Sequence, residues 1–214
     1  NVLLFLLPLF ILTIGSMSIA GDIETGWFSL LKTYPMTRKQ YIFGKYLATV
    51  IAFLLIVMVA FGVVLALGGL LGGVRLPFIF ISLTLLCIAI FTSLALAIGA
   101  VAKTRLFALS LSLVLWSFFL LLLSYALMAI GTVVAGHILQ KLTIIVMHIN
   151  PVEWLRFGYF IFTKQASVLG PSFYSVTAFY ASPLGYVVYG LVTCLWVALP
   201  LAFTARRLKK GEKR

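Results

Sequence analysis

Five long apolar runs without charged residues dominate the chain, and charged or turn-forming residues separate each run from the next. They cover about residues 2–20, 46–70, 78–102, 106–130 and 184–204. About 20 apolar residues at a rise of 1.5 Å cross the hydrocarbon core of a bilayer as a helix. The runs are continuous and do not alternate between polar and apolar positions, so they predict helices and not barrel strands. We therefore predict an all-α, polytopic membrane helix bundle.

The first apolar run has no methionine before it. The chain opens on Asn1 inside that run, so we expect a further helix to precede it. That helix would raise the five visible spans to six, in one transmembrane domain that includes all of residues 1–214.

Residues 21–45 do not cross the membrane but carry a pattern of their own. Asp22 and Glu24 precede an apolar group that begins at Trp27, and Lys32 follows it. Acids at the start and a base near the end suit the dipole of a short amphipathic helix. We predict that this helix lies along the membrane face.

A second helix is predicted to follow within the same segment. Pro35 should end the first helix, because proline disfavours α conformation in the residue before it. Thr37 can then cap a helix that carries Arg38, Lys39 and Lys45 into the next span.

Small residues on the predicted spans indicate where two helices approach closely. On the third run, Ala95 and Gly99 are four residues apart, as are Ala89, Ser93 and Ala97. Glycines at 68, 69, 72 and 73 repeat this spacing near the end of the second run. Such spacing allows close backbone packing in lipid.

Lysine and arginine residues fix the predicted orientation, because cytoplasmic loops retain positive charge. Placing segment 21–45 inside leaves four of the 16 basic residues outside: Arg75, Lys141, Arg156 and Lys164. The other twelve lie inside: Lys32, Arg38, Lys39, Lys45, Lys103, Arg105, Arg206, Arg207, Lys209, Lys210, Lys213 and Arg214. We expect a multi-pass protein of the inner or plasma membrane with a cytoplasmic C-terminus.

The predicted external segment, residues 131–183, is longer than a turn requires and is half apolar. Asn150 and Pro151 separate two amphipathic stretches, 137–149 and 152–164. Within the second stretch, Glu153 and Arg156 are three residues apart and can pair on one helical face. We predict short helices that dip into the outer leaflet.

Composition supports lipid as the main solvent of the chain. Hydrophobic residues make up 64% and charged residues 9% of 214 positions, too little polar surface for a water-soluble globule. The net charge of +12 comes from loops and the tail and forms no basic aromatic face, so no nucleic-acid partner is expected. Cys87 and Cys194 both lie in apolar runs, which indicates neither a disulfide framework nor a metal knuckle.

Several kinds of chemistry are missing from the sequence. No G-x-x-x-x-G-K-[ST] motif occurs, and no charged residue lies in the middle of a span, which disfavours ATP binding by this chain and a proton relay. The serines in the spans have no evident general base that could activate them as nucleophiles, so we expect them to form hydrogen bonds with neighbouring helices. A copper site at His137, Met147 and His148 is an alternative that we disfavour, and no metal site is predicted.

The stretch from Leu7 to Ala48, which contains segment 21–45, resembles the ABC-2 family of ABC-transporter permeases. The resemblance rests on an ordered run of residues: Asp22, Glu24, Gly26, Leu30, Leu31, Pro35, Arg38, Gly44 and Lys45. Together with Trp27, these are the residues predicted to couple the chain to an ATPase. Trp27 and Asp22 depart from the usual threonine and glutamate of the family. The resemblance implies that this segment is a coupling helix seated on a separate nucleotide-binding ATPase subunit. A simple interfacial anchor remains the alternative.

A narrower resemblance links the external segment to the Nos-type permeases that accompany nitrous-oxide reductase maturation. It rests on Asn150, Pro151, Glu153 and Arg156, and on the Leu-Gly-Pro sequence at 169–171. In the ABC-2 group, a re-entrant helix pair at this place closes the outer end of the transport path.

The resemblance implies a permease subunit that couples ATP hydrolysis in its partner to export, with metalloenzyme maturation as one possible setting. We expect no enzyme activity and no cofactor in this chain, with ATP and Mg²⁺ held by the ATPase subunit. A second permease copy, or a homologue, and the lipid bilayer are the other expected partners. A non-transporting membrane scaffold or assembly factor and a secondary carrier are the alternatives.

Overall fold

The computed structural model describes residues 2–30, 36–70, 73 and 77–210, and every regular element in these ranges is helical. Five of the described helices are long and apolar enough to cross a membrane, which confirms the all-α membrane bundle. They are α1 (Val2–Glu24), α3 (Arg38–Leu70), α4 (Phe78–Val101), the continuous stretch Arg105–Gly131, and α10 (Pro183–Lys210).

The remaining helices are shorter and lie between these spans. The stretch Arg105–Gly131 consists of α5 (Arg105–Ser117), a π-helical turn (Phe118–Leu122) and α6 (Leu123–Gly131). The shorter helices are α2 (Trp27–Leu30), α7 (Gly136–Ile149), α8 (Pro151–Phe162) and α9 (Tyr174–Tyr180). Two single 3-10 turns, Ala166–Leu169 and Pro171–Phe173, join α8 to α9.

Helix α3 begins at the residue that the sequence predicted. The Thr37 hydroxyl accepts a hydrogen bond from the Gln40 backbone N–H at 3.3 Å, and the Gln40 side-chain oxygen accepts one from the Thr37 N–H at 2.8 Å. This reciprocal capping box satisfies backbone donors that a helix start otherwise leaves unpaired.

The prediction that Asp22 and Glu24 open an amphipathic helix is wrong. Both lie in the last turn of α1, and the next helix, α2, has only four residues from Trp27 to Leu30. Gly26 separates the two helices with a φ of +73°, a conformation that glycine adopts without steric cost. Leu31, Lys32, Tyr34 and Pro35, and with them the predicted end of that helix, fall outside the described residues.

Two compact units make up the chain. The first consists of Asn1–Leu113 with Val197–Arg214, and the second of Val114–Trp196. The assignment of residues 1–214 to one transmembrane domain stays a prediction.

In the first unit, α1 packs closely against α4 through small residues. A Cβ atom added to Gly99 would lie 2.5 Å from the Ser16 carbonyl oxygen, and one added to Gly15 would lie 2.8 Å from the Ala95 Cβ. The Ala95–Gly99 spacing therefore marks a helix contact, as predicted. The Ser112 hydroxyl also donates to the Leu12 carbonyl at 2.9 Å, a serine bond between helices of the expected kind.

The second unit is built around the buried side chain of Trp154, whose exposed fraction is 0%. Its indole ring stacks on the Tyr189 ring at a centroid distance of 4.6 Å, and its Nε1–H donates to the Thr193 hydroxyl at 3.0 Å. A buried indole N–H needs such a partner. These contacts fix α8 against the first half of α10, the part of that helix that belongs to this unit.

Candidate functional site

The C-terminal end of α1 meets the start of α3 in a small polar network around Asp22. The Lys45 ammonium lies 2.8 Å from Asp22 Oδ2, and the Tyr41 hydroxyl donates to the same oxygen at 2.7 Å. Lys45 also donates to the Ser18 hydroxyl at 3.0 Å. Asp22 thereby joins α1 to α3 through two side chains of one helical face.

A second contact joins the same end of α1 to the start of α5. The Glu24 carboxylate accepts a hydrogen bond from the Arg105 backbone N–H at 2.8 Å. Arg105 is the first residue of α5, and the first N–H groups of a helix have no partner within it. The Arg105 side chain covers Gly21, where an added Cβ atom would lie 2.5 Å from Nε.

The helix dipole explains why these acids need partners. A carboxylate at the C-terminal end of α1 faces the negative end of that helix, which disfavours it. Lys45 offsets this for Asp22, and the positive N-terminus of α5 offsets it for Glu24. The acids thus stabilise the junction of three helices instead of the start of α2.

Helix ends from four spans gather around this network in the first unit. The cluster combines the C-terminal parts of α1, α4 and α10 with the start of α3. Its buried members are Ile19, Tyr41, Ile42, Leu96, Ala100 and Leu208. Apolar packing therefore reinforces the polar contact between α1 and α3 and adds the ends of α4 and α10 to it.

Beside this junction, α2 carries two apolar side chains that are about half exposed. The exposed fraction is 49% for Trp27 and 56% for Leu30. Gly44 on α3 is also open, since a Cβ atom there would meet nothing within 4 Å. Tryptophan is enriched among the residues that contribute most to protein–protein binding, so a half-exposed Trp27 makes α2 a candidate contact surface.

The sequence that forms these contacts of Asp22 and Glu24 matches a known protein family. The family model described as ABC-2 family transporter protein matches residues 2–212. The chain belongs to the ABC-2 family. This confirms the resemblance first seen in segment 21–45.

Two curated relatives carry the same name, probable ABC transporter permease protein NosY. The protein from Pseudomonas aeruginosa is 33% identical over 159 residues, and that from Stutzerimonas stutzeri is 31% identical over 160 residues. Each alignment covers 71% of this chain and 58% of the relative. The narrower Nos-type resemblance is therefore confirmed, over a chain that spans little more than half of either relative.

Within this ABC-2 chain, the predicted coupling residues occupy different places. Asp22 and Lys45 form an ion pair. Glu24 lies in the same last turn of α1 as Asp22, but its carboxylate contacts Arg105 on α5. Arg38 is the first residue of α3, whereas Leu31 and Pro35 lie outside the described residues. No contact tests the coupling role itself, which stays a prediction.

Sequence reasoning missed Tyr41 and Ser18, although a signal for both exists. Tyr41 is four residues before Lys45, and Ser18 is four residues before Asp22, so each pair shares one helical face. The pairing of Glu24 with Arg105 carries no comparable signal, because 81 residues separate them.

The four predicted residues of segment 131–183 lie in the second unit. Asn150 is fully buried, and its side chain caps α8 by accepting the Val152 N–H at 3.0 Å. Its amide nitrogen also donates to the carbonyl of Phe119 in the π-helical turn at 2.7 Å. Pro151 is the first residue of α8, so the predicted helix break is confirmed.

The predicted pair of Glu153 and Arg156 is also confirmed. Arg156 Nη1 donates to Glu153 Oε1 at 2.6 Å on one face of α8.

His148, part of the disfavoured copper site, has both ring nitrogens engaged. Nδ1 lies 2.7 Å from the Ile144 carbonyl, so it carries the proton and donates, and Nε2 lies 2.7 Å from the Tyr180 hydroxyl. Burial raises the pKa of Tyr180, which keeps its hydroxyl protonated as the donor. Among the described residues, no group of three His, Cys, Asp or Glu side chains could hold a metal ion.

Proposed function

We propose that this chain is the membrane-spanning permease part of an ABC transporter and couples ATP hydrolysis in a separate subunit to substrate export. The observation that carries the proposal is the junction at Asp22 and Glu24. It ties the end of α1 to α3 and α5 beside the exposed apolar residues of α2.

This geometry suits the transmission of force. Trp27 and Leu30 would dock in a groove of the nucleotide-binding subunit, which supplies ATP and Mg²⁺. Only Gly26 and Thr25 separate α2 from α1, so displacement of α2 would move the end of α1. The Asp22 and Glu24 contacts would then carry that displacement to α3 and α5 and tilt the spans together.

The proposed orientation places this junction in the cytoplasm. The excess of Lys and Arg residues on the loops beside the junction supports it. The cluster that gathers Ile19, Ile42, Ala100 and Leu208 supports only that these helix ends share one side of the membrane, as alternating spans require. Segment 131–183 then faces outward and would close the outer end of the path through α7 and α8.

A second permease copy, or a homologue, would complete the translocation path. Only five residues of the 33-residue helix α3 are buried, which leaves its apolar surface for lipid or for that copy. The Nos-type resemblance of segment 131–183 makes a cargo connected with metalloenzyme maturation one candidate. The proposed activity requires no catalytic residue in this chain.

Reconstitution tests this proposal against its rivals. The full-length protein and its nucleotide-binding subunit would be placed in proteoliposomes, and ATP hydrolysis and export of candidate cargo measured. We expect both activities to need both subunits and ATP. Transport driven by a proton gradient without the ATPase would instead identify a secondary carrier. ATPase binding without any effect on hydrolysis would identify a scaffold.

A further inference from the structure

The second unit contains a cavity of about 290 Å³ between α6, α7 and α8, called here the α6–α8 cavity. Seven of its eleven lining residues are apolar, including Phe157, Phe160 and Phe173. The four polar lining residues are Ser124, Thr143, Glu153 and Arg156. A mostly apolar cavity with a few polar groups suits an amphipathic ligand better than a hydrophilic one.

The depth of the cavity indicates where that ligand comes from. Leu127 and Ser124 line it from α6, which ends at Gly131. At 1.5 Å per residue, these two positions lie about 6 Å and about 10 Å before the end of the spanning helix. A cavity wall at that distance inside a helix long and apolar enough to span the bilayer would face acyl chains, with the end of α6 placed at the edge of the hydrocarbon core.

The unused hydrogen-bond donors of Arg156 favour an anionic ligand. Arg156 uses Nη1 for Glu153, yet a guanidinium has five N–H donors and this side chain is 35% exposed. Its Nε has no hydrogen-bond partner among the described residues. Glu153 and Arg156 are the two charged residues among the eleven that line the cavity, and Lys141 and Lys164 do not line it. An arginine with unused donors binds phosphate oxygens well.

We propose that the α6–α8 cavity binds one anionic phospholipid of the surrounding bilayer. An acyl chain would fill the apolar space between the three helices, and the phosphate would bind Arg156 at the rim beside Glu153. The lipid would hold α7 and α8 against α6 and stabilise the second unit by mass action. This inference needs only a membrane-embedded chain and does not rest on the proposed transport function.

Lipid binding to the full-length protein tests the inference. The protein in neutral detergent would be titrated with phosphatidylglycerol and with phosphatidylcholine of the same acyl chains, and bound lipid counted by native mass spectrometry. We expect one tightly bound phosphatidylglycerol, held about 10-fold more tightly than phosphatidylcholine, as for a hydrogen bond between charged groups. Glycerol phosphate and inorganic phosphate, which have no acyl chain, should not displace it.

Variants separate the headgroup from the chain. Arg156→Gln should abolish the preference for phosphatidylglycerol, and Arg156→Lys should retain part of it. Leu127→Trp should reduce the binding of both lipids by filling the cavity. Lys141→Gln is the matched control, because Lys141 is exposed and does not line the cavity.

Four results would each overturn the inference. They are equal binding of the two lipids, an unchanged preference in Arg156→Gln, unchanged lipid retention in Leu127→Trp, and displacement by glycerol phosphate alone. If Arg156→Gln does not fold, the Arg156→Lys and Leu127→Trp results decide.

Discussion

Removal of the Asp22–Lys45 ion pair should weaken the first unit by a measurable coupling energy. At 2.8 Å and an effective dielectric constant of about 20, two unit charges attract by about 6 kcal/mol before desolvation and side-chain ordering are subtracted. Fully exposed pairs retain about 0–1 kcal/mol, while breaking a buried pair costs about 3–5 kcal/mol. Exposed fractions of 28% for Lys45 and 18% for Asp22 place this pair between the two cases. We expect a coupling energy of about 1–2 kcal/mol.

A double-mutant cycle measures this energy. Asp22→Asn, Lys45→Met and the double variant would be unfolded by SDS titration in mixed micelles, and their free energies of unfolding compared with that of the parent. Lys39→Met is the matched control, because Lys39 is an exposed lysine six residues away on the same helix. The control should change the stability by less than about 0.5 kcal/mol. Additive effects of Asp22→Asn and Lys45→Met would refute the claim that the pair joins α1 to α3.

Three further substitutions test individual parts of the fold by the same unfolding measurement. Gly99→Ala should lower the free energy of unfolding by about 1–3 kcal/mol, because the added Cβ would meet the Ser16 carbonyl. Gly62→Ala is its control and should be neutral or stabilising, because the space around Gly62 is open. Equal effects of the two substitutions would contradict the α1–α4 packing. Asn150→Ala should cost about 2–4 kcal/mol by removing a cap and a buried hydrogen bond, and Asn150→Asp should restore only the cap. Gly26→Ala should cost about 1 kcal/mol at its positive φ, and no loss would contradict the turn after α1.

Hydropathy predicts the spans well because lipid forces each apolar run into one continuous helix. The break at Asn150–Pro151 is equally readable, since a capping side chain and a proline act within a few residues of themselves. The end of α1 was mispredicted for the opposite reason. Asp22 and Glu24 look like the first turn of the next helix, and the contacts that hold them in α1 are not local.

The pairing of Glu24 with Arg105 shows the limit most clearly. The two residues are 81 positions apart, and the contact uses a backbone N–H, which is the same in every residue except proline. The Trp154–Thr193 hydrogen bond likewise joins residues 39 positions apart. Such contacts depend on how α1, α5, α8 and α10 pack, and hydrophobic periodicity does not specify that packing.

Binding of the nucleotide-binding subunit to the Trp27→Ala variant tests the central claim most directly. Trp27 is exposed and belongs to the helix proposed to dock on that subunit, so its loss should weaken binding by about 10-fold or more and reduce ATPase stimulation accordingly. Tyr174→Ala is the matched control, an aromatic side chain 75% exposed in segment 131–183, and it should leave binding unchanged. Binding and ATPase stimulation equal to those of the parent in a stably folded Trp27→Ala protein would contradict the account.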